Sequence, residues 1–332
     1  MSTETVELGT SATTYSHTVA REMVHRWALS EVFVTGIQTT GQYEFTVDAQ
    51  LPLYHAYYTD HAARPELFDP LLLLECCRQG GTYGTHVVLD VPLAATLLVK
   101  SMSIQLTDLD ALTIGTRPGE LRTRVEFTDV QTRGGQVRGF SLDLELTLSG
   151  RAVGTAHIDA GAVSKNAFRA LRVRQRASEP PMSSSLPETP AGVPVSPHLF
   201  GRKLQENVVL TNARRDGRCA SAQLGVTPRN RSLFDHEYDH YPAMSLFEAA
   251  RQISLLALDD GTGAAATRLR CTSFRGEFIR FAELDSPTTL DVSEPSGDEL
   301  EVQFHQNGAL IATVAVGFAD LPGISRHPGA AA

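Results

Sequence analysis

Two short stretches of this chain carry polar side chains where polarity is expensive. Residues 71–81 read LLLLECCRQGG and residues 243–252 read AMSLFEAARQ, so a glutamate, an arginine three residues on and a glutamine four residues on recur in the order Glu75, Arg78, Gln79 and Glu248, Arg251, Gln252. An ionised carboxylate buried without a partner costs several kcal/mol or more, so it takes a partner or a proton. A spacing of three puts carboxylate and guanidinium on one helix face, where they can pair. Such a pair can pin a helix to a sheet. It can also present a carboxylate and an arginine to an anionic ligand in a cleft. The recurrence of the same trio favours the ligand-facing role for at least one copy.

Histidines precede both stretches. His55 and His61 lie in LPLYHAYYTDHAARPELFDP, and His236 and His240 lie in LFDHEYDHYP. An imidazole within reach of a reacting group is a general acid or base. The D-H-x-x-x-H order around Asp239 lacks a third ligand at a telling spacing, so no metal is expected. His25, His86 and His305 have no motif around them and read as structural. There is no Walker loop, no G-x-G-x-x-G after a strand and no G-x-S-x-G elbow, which leaves nucleotide binding and serine hydrolysis unsupported and implies no cofactor.

The elements that must position these groups also repeat. Each half runs from a histidine loop through a proline (Pro70 or Pro242) into an apolar helix, then into segments such as FSLDLELTL and LIATVAVGFAD whose alternation predicts antiparallel strands. Pro70 and Pro242 suit a helix start, and Gly80-Gly81 reads as a helix end. Residues 176–198, mostly SEPPMSSSLPETPAGVPVSP, are a Pro/Ser-rich linker. The boundaries that follow are a flexible 1–20, a first repeat at 21–175, a second at 199–322 and a flexible 323–332. The class is α+β.

With 332 residues and 42% hydrophobic residues, each half can build a core, and a net charge of -9 argues against a nucleic-acid binder. Cys76, Cys77, Cys219 and Cys271 show no C-x-x-C spacing and read as buried free thiols. The start of the chain reads as no secretory signal, and no 18-residue apolar run appears, so a cytoplasmic protein without a membrane span is expected.

The order histidine loop, proline, buried glutamate-bearing helix and strand meander resembles the hot-dog fold, in which a sheet wraps a long helix. FDHEYDHYPAMSLFEAARQ is similar to the hydroxyacyl-carrier-protein dehydratases. More closely, VHRWALSEVFVT at 24–35, FDPLLLLECCRQGG at 68–81, the 234–252 segment and FRGEFIRFAELDSP at 274–287 resemble the A-factor synthase (AfsA) family of actinobacteria, over roughly residues 20 to 320.

That resemblance implies a double hot-dog, two sheets each wrapped round a helix and fused as a pseudo-dimer. It implies transfer of a β-ketoacyl group from a carrier protein or coenzyme A thioester to dihydroxyacetone phosphate. The ester can close to a butenolide phosphate on the way to a γ-butyrolactone, butenolide or furan signal controlling antibiotic production. Glu248, His236, Glu75 and His55 are then the catalytic candidates. Arg251, Arg78, Gln252, Gln79, His240 and Arg275 are the substrate-binding ones. Base duty falls to His236 or Glu248, and phosphate or carboxylate pairing to Arg251 and Arg78. Across the fused interface His55 would face Glu248 and His236 would face Glu75. Cys76-Cys77 beside Glu75, and Ala243 where glycine is usual, depart from the family pattern at positions expected to shape the acyl pocket. A dehydratase or thioesterase, and a non-catalytic lactone or acyl binder, are the alternatives, and homo-oligomerisation is left open.

Overall fold

The computed structural model describes residues 15–293 and 299–320. The first half contributes β1 (Val34–Thr39), β2 (Glu44–Leu51), helix α1 (Pro70–Val87), β3 (Thr96–Leu106), β4 (Gly119–Arg133), β5 (Gln136–Leu148) and β6 (Arg151–Val163). Helix α2 (Lys165–Arg176) follows. The second half repeats the order: β7 (Leu210–Asp216), β8 (Cys219–Leu224), α3 (Ala243–Leu258), β9 (Leu269–Phe278), β10 (Thr289–Val292), β11 (Glu299–Gln306) and β12 (Ala309–Asp320).

The expected pair of sheets is a single one. Its twelve strands run β1-β2-β4-β5-β6-β3-β9-β12-β11-β10-β8-β7, so the second half is the first read outward from the centre. The junction is the antiparallel β3–β9 pairing, from Ser101↔Glu277 to Gln105↔Ser273. Unpaired edges of β3 and β9 would otherwise present open backbone donors and acceptors, and pairing removes both. The sheet curls round α1 and α3, and the buried apolar residues of both halves form one core.

Both helices are apolar nearly all round because sheet and partner helix enclose them. Asp69 caps α1, accepting from the Leu71 amide at 2.9 Å, and Pro70 fills the first turn. Gly80-Gly81 does not end α1, which continues to Val87. Its glycines permit close packing instead: a Cβ at Gly84 would lie 2.2 Å from Phe45, and one at Gly80 would lie 2.9 Å from Val47.

Helix α2 lies within the span assigned to the first repeat but docks on the second half. Arg172 bonds Asp239 at 2.8 Å and Glu283 at 2.7 and 2.8 Å. Within the proline-rich stretch, the Ser183 amide bonds the Tyr238 carbonyl at 2.7 Å, and Pro194 bridges to Thr211. Residues 1–14 and 321–332, which hold most of the two ends expected to be flexible, lie outside the described residues. The four cysteines are free; Cys76, Cys77 and Cys271 are buried as expected, but Cys219 is exposed. Among the described residues no helix is long and apolar enough to cross a membrane.

Candidate functional site

The two glutamates are both fully buried, and each sits in a ring of donors. Glu75 accepts from Arg78 at 2.7 and 2.8 Å, from Arg26 at 2.5 and 3.1 Å, and from Gln79 at 2.7 Å. Gln79 also donates to the Glu31 carbonyl and accepts from the Phe33 amide. Burial alone would raise the Glu75 pKa, but Arg26 and Arg78 bring it down to about 2, so the group is a permanent anion. It therefore aims two guanidiniums and moves no proton near neutral pH.

Arg78 faces open space, whereas Arg26 is almost wholly buried against the same glutamate. Arg26 and Arg78 line a cleft of about 950 Å³. Their Nη1 atoms meet no protein acceptor among the described residues, since the bonds to Glu75 use Nε and Nη2. The loop of the second half supplies the facing wall, with His236, Tyr238 and His240, while Lys165 and Arg169 of α2 stand on the same cleft. Glu22, Glu179, Glu237 and Asp239 also line it, and Arg169 is paired with Glu179, so the cleft carries charges of both signs.

His236 is held by Asp235 and Tyr238. Its Nδ1 lies 3.3 Å from Asp235 Oδ2, and its ring stacks on Tyr238 at 4.1 Å between centroids. Asp235 is itself anchored by the Trp27 and Ala28 amides at 2.7 and 2.9 Å. Burial raises the Asp235 pKa, but the bonds from His236 and the two amides lower it on balance. A carboxylate accepting from Nδ1–H leaves Nε2 as the free lone pair. His240 bonds Asp239 through Nδ1 at 2.5 Å and packs on Phe281.

His25 and His86, read as structural, also line or abut this cleft. Their Nε2 atoms are 2.9 Å apart, and His86 Nδ1 donates to the Val91 carbonyl at 2.7 Å. Burial, then His86, Arg78 and His236, press His25 down to about 4, so it is neutral near pH 7.

Glu248 repeats the anchoring but not the opening. It takes Arg202 at 3.1 Å, Arg251 Nε at 3.1 Å, Tyr57 at 3.1 Å and Gln252. Gln252 copies Gln79, donating to the Asn207 carbonyl and accepting from the Val209 amide. Burial raises Glu248, but Arg202 and Arg251 lower it on balance. Arg251 is then closed off by Asp69 of the first half, at 2.7 and 3.1 Å, and His61 bonds Asp69 at 2.8 Å. The void beside this cluster is only about 70 Å³. Glu248, Arg251 and Gln252 thus form a strut between α3 and the cap of α1.

Two other expectations are corrected. His55 does not face Glu248: its Nδ1 accepts from the Tyr57 and Tyr58 amides and its Nε2 lies 3.3 Å from Glu31, while Tyr57 reaches the glutamate. Arg275 lies on the outer face of β9, 2.8 Å from Glu299, because strand alternation turns it away from its buried neighbours Phe274 and Gly276.

Fold and site define a fused pair of hot-dog repeats with an open cleft beside the Glu75 cluster. The A-factor biosynthesis hotdog domain matches residues 10–164 and 184–319, and the chain belongs to that family. It is 31% identical to a 2-oxo-3-(phosphooxy)propyl 3-oxoalkanoate synthase of Streptomyces virginiae, over 90% of this chain and 97% of the relative. A synthase of the same name from Streptomyces griseus is 31% identical over 89% of this chain and 93% of its own length. Among solved structures, the dehydratase domain from the CurF module of curacin polyketide synthase is 11% identical, with a TM-score of 0.49, covering 85% of this chain and 96% of that one.

Proposed function

We propose that this chain is an acyltransferase that joins a β-ketoacyl thioester to dihydroxyacetone phosphate, forming a 2-oxo-3-(phosphooxy)propyl 3-oxoalkanoate. Two synthases bearing that product's name align along nearly their whole length. The observation that carries the reading to particular atoms is the cleft where two uncommitted guanidinium nitrogens and an Asp-supported imidazole face one space.

His236 Nε2 takes the proton of the acceptor hydroxyl, whose oxygen attacks the thioester carbonyl. The tetrahedral oxyanion collapses, the C–S bond breaks, and the imidazolium returns its proton to the departing thiolate. Arg78 and Arg26, fixed by Glu75, bind the phosphate of the acceptor. Asp235 and Glu75 are positioning residues. The acyl donor is a thioester on a carrier protein or coenzyme A, and both share the thioester and pantetheine arm that enter the cleft.

The test is mass spectrometry of the protein with a β-ketoacyl thioester, with and without dihydroxyacetone phosphate. A phosphorylated ester or butenolide that needs both substrates is expected. Free acid or an enoyl product that ignores the phosphate would replace this reading with a thioesterase or dehydratase.

A further inference from the structure

Helix α1 carries three glycines on its buried length, Gly80, Gly81 and Gly84, although glycine is a poor helix former. Packing explains two of them. A Cβ at Gly84 would press into the Phe45 ring at 2.2–3.0 Å, and one at Gly80 would meet three Val47 atoms within 3.3 Å. Gly81 differs. Its added Cβ would meet one atom, the Leu142 Cδ1 methyl, at 2.9 Å, and Gly81 lines the open cleft. A methyl at the end of a flexible side chain can move aside, so the fold does not demand glycine here. What the missing side chain provides is volume.

The surroundings of that volume are apolar. Three adjacent strands tile the floor in register: Val99 and Phe140 both pair with Ala160, and Met102 and Leu142 both pair with Ile158. All but Met102 line the cleft. On the helix side, Thr82 and Thr85 spend their hydroxyls on the Arg78 and Gly81 carbonyls, at 2.9 and 2.7 Å, so neither offers a free donor. Arg78 stands one turn before Gly81 on the same helix. Beyond Arg78 the cleft therefore presents an apolar wall at Gly81. Cys76 and Cys77, expected to shape the acyl pocket, do not line the cleft; both are buried.

We infer that Gly81 is a specificity-determining residue, and that the space between it and the Leu142 tile holds the alkyl chain of the β-ketoacyl group and sets its maximum length. The identity of the chain rests on the acyl-transfer reading; the apolar chamber does not. In Gly81→Ala the displaced Leu142 methyl intrudes on the chamber. In Leu142→Val that methyl is gone, so the chamber is larger and the double variant Gly81→Ala/Leu142→Val recovers the original space.

The test is calorimetric binding of non-transferable β-ketoacyl-pantetheine amides of graded chain length to the full chain, with transfer of the matching thioesters to dihydroxyacetone phosphate followed in parallel. Methylene-sized changes in an apolar pocket shift discrimination by about 10-fold or more. Gly81→Ala should lose about that factor for the longest chains and little for the shortest, and the double variant should restore it. Leu142→Val alone should extend the preference by one or more methylenes, which keeps the inference testable if Gly81→Ala does not fold. An equal change at every length, or none, would overturn the chamber. Length-dependent binding without transfer would leave the chamber standing and refute the acyltransferase. Transfer that ignores chain length in all variants would do the reverse.

Discussion

The two halves build the same anchor and then part at one position. Glu75 and Glu248 each bind the arginine and glutamine that follow on their own helix, plus one arginine from an upstream loop, Arg26 or Arg202. The glutamines make matching bonds to a backbone carbonyl and a backbone amide. Six residues before Glu75 stands Asp69, and six before Glu248 stands Pro242. Asp69 crosses to the other half and seals Arg251; proline has no side chain that could do the same for Arg78. The side chain of Arg78 is accordingly 23% exposed and that of Arg251 8%. One carboxylate at a helix cap thus divides a closed ion-pair cluster from one that opens on a cleft. Repeats fused in one chain can diverge this way because the cap of α1 lies against the arginine of α3.

The comparison can be broken at several places. His236→Gln removes the base from the open side only, and turnover should fall by about 10²–10⁴ with little loss of folded protein, as general-base deletions do; kcat with circular dichroism on the same samples checks it. On the closed side, Arg251→Met leaves Asp69 and part of Glu248 uncompensated in the core, and the protein should lose about 3–5 kcal/mol of stability, read from urea unfolding. Pro242→Asp gives α3 the cap that α1 has. It should capture Arg78 as Asp69 captures Arg251, raising KM for dihydroxyacetone phosphate about tenfold, the worth of one charge-assisted bond. An unchanged KM would show that the cap residue does not decide which half is open.

A further effect is a pH slope confined to the open side. His25 is held down to about 4 from its ordinary 6.5, so between those values the unfolded chain binds a proton that the folded one refuses. Its contribution is full above pH 6.5 and is lost as the pH falls toward 4. His25→Asn should therefore flatten the decline in melting temperature between pH 6.5 and about 5, above the range where the carboxylates titrate.

Much of this was legible in the chain itself. The doubled E-x-x-R-Q word located both anchors, and the strand alternation after each helix announced the wrapping sheet. Alternation also held the correction to Arg275, since FRGEF puts the arginine between two inward positions. Arg26 and Arg202 were missed because they precede their glutamates by 49 and 46 residues, and only the fold brings them back. Tyr57 rather than His55 reaches Glu248 because the 55–59 turn folds the imidazole onto its own backbone amides. The difference between the two trios was invisible, since it depends on which side chain caps the neighbouring helix. Asp69 looks in sequence like an ordinary capping residue, and its second bond, to an arginine 182 positions away, exists only after the halves close on each other.

The most direct test is turnover per folded molecule in Arg78→Met and Arg251→Met, measured side by side with dihydroxyacetone phosphate and a β-ketoacyl thioester. If the first half holds the working site, Arg78→Met should lose about 10²–10³ in kcat/KM while staying folded. Arg251→Met should be less stable yet turn over normally once corrected for its folded fraction. A stable, inactive Arg251→Met beside an active Arg78→Met would contradict the account and place the reaction at Glu248.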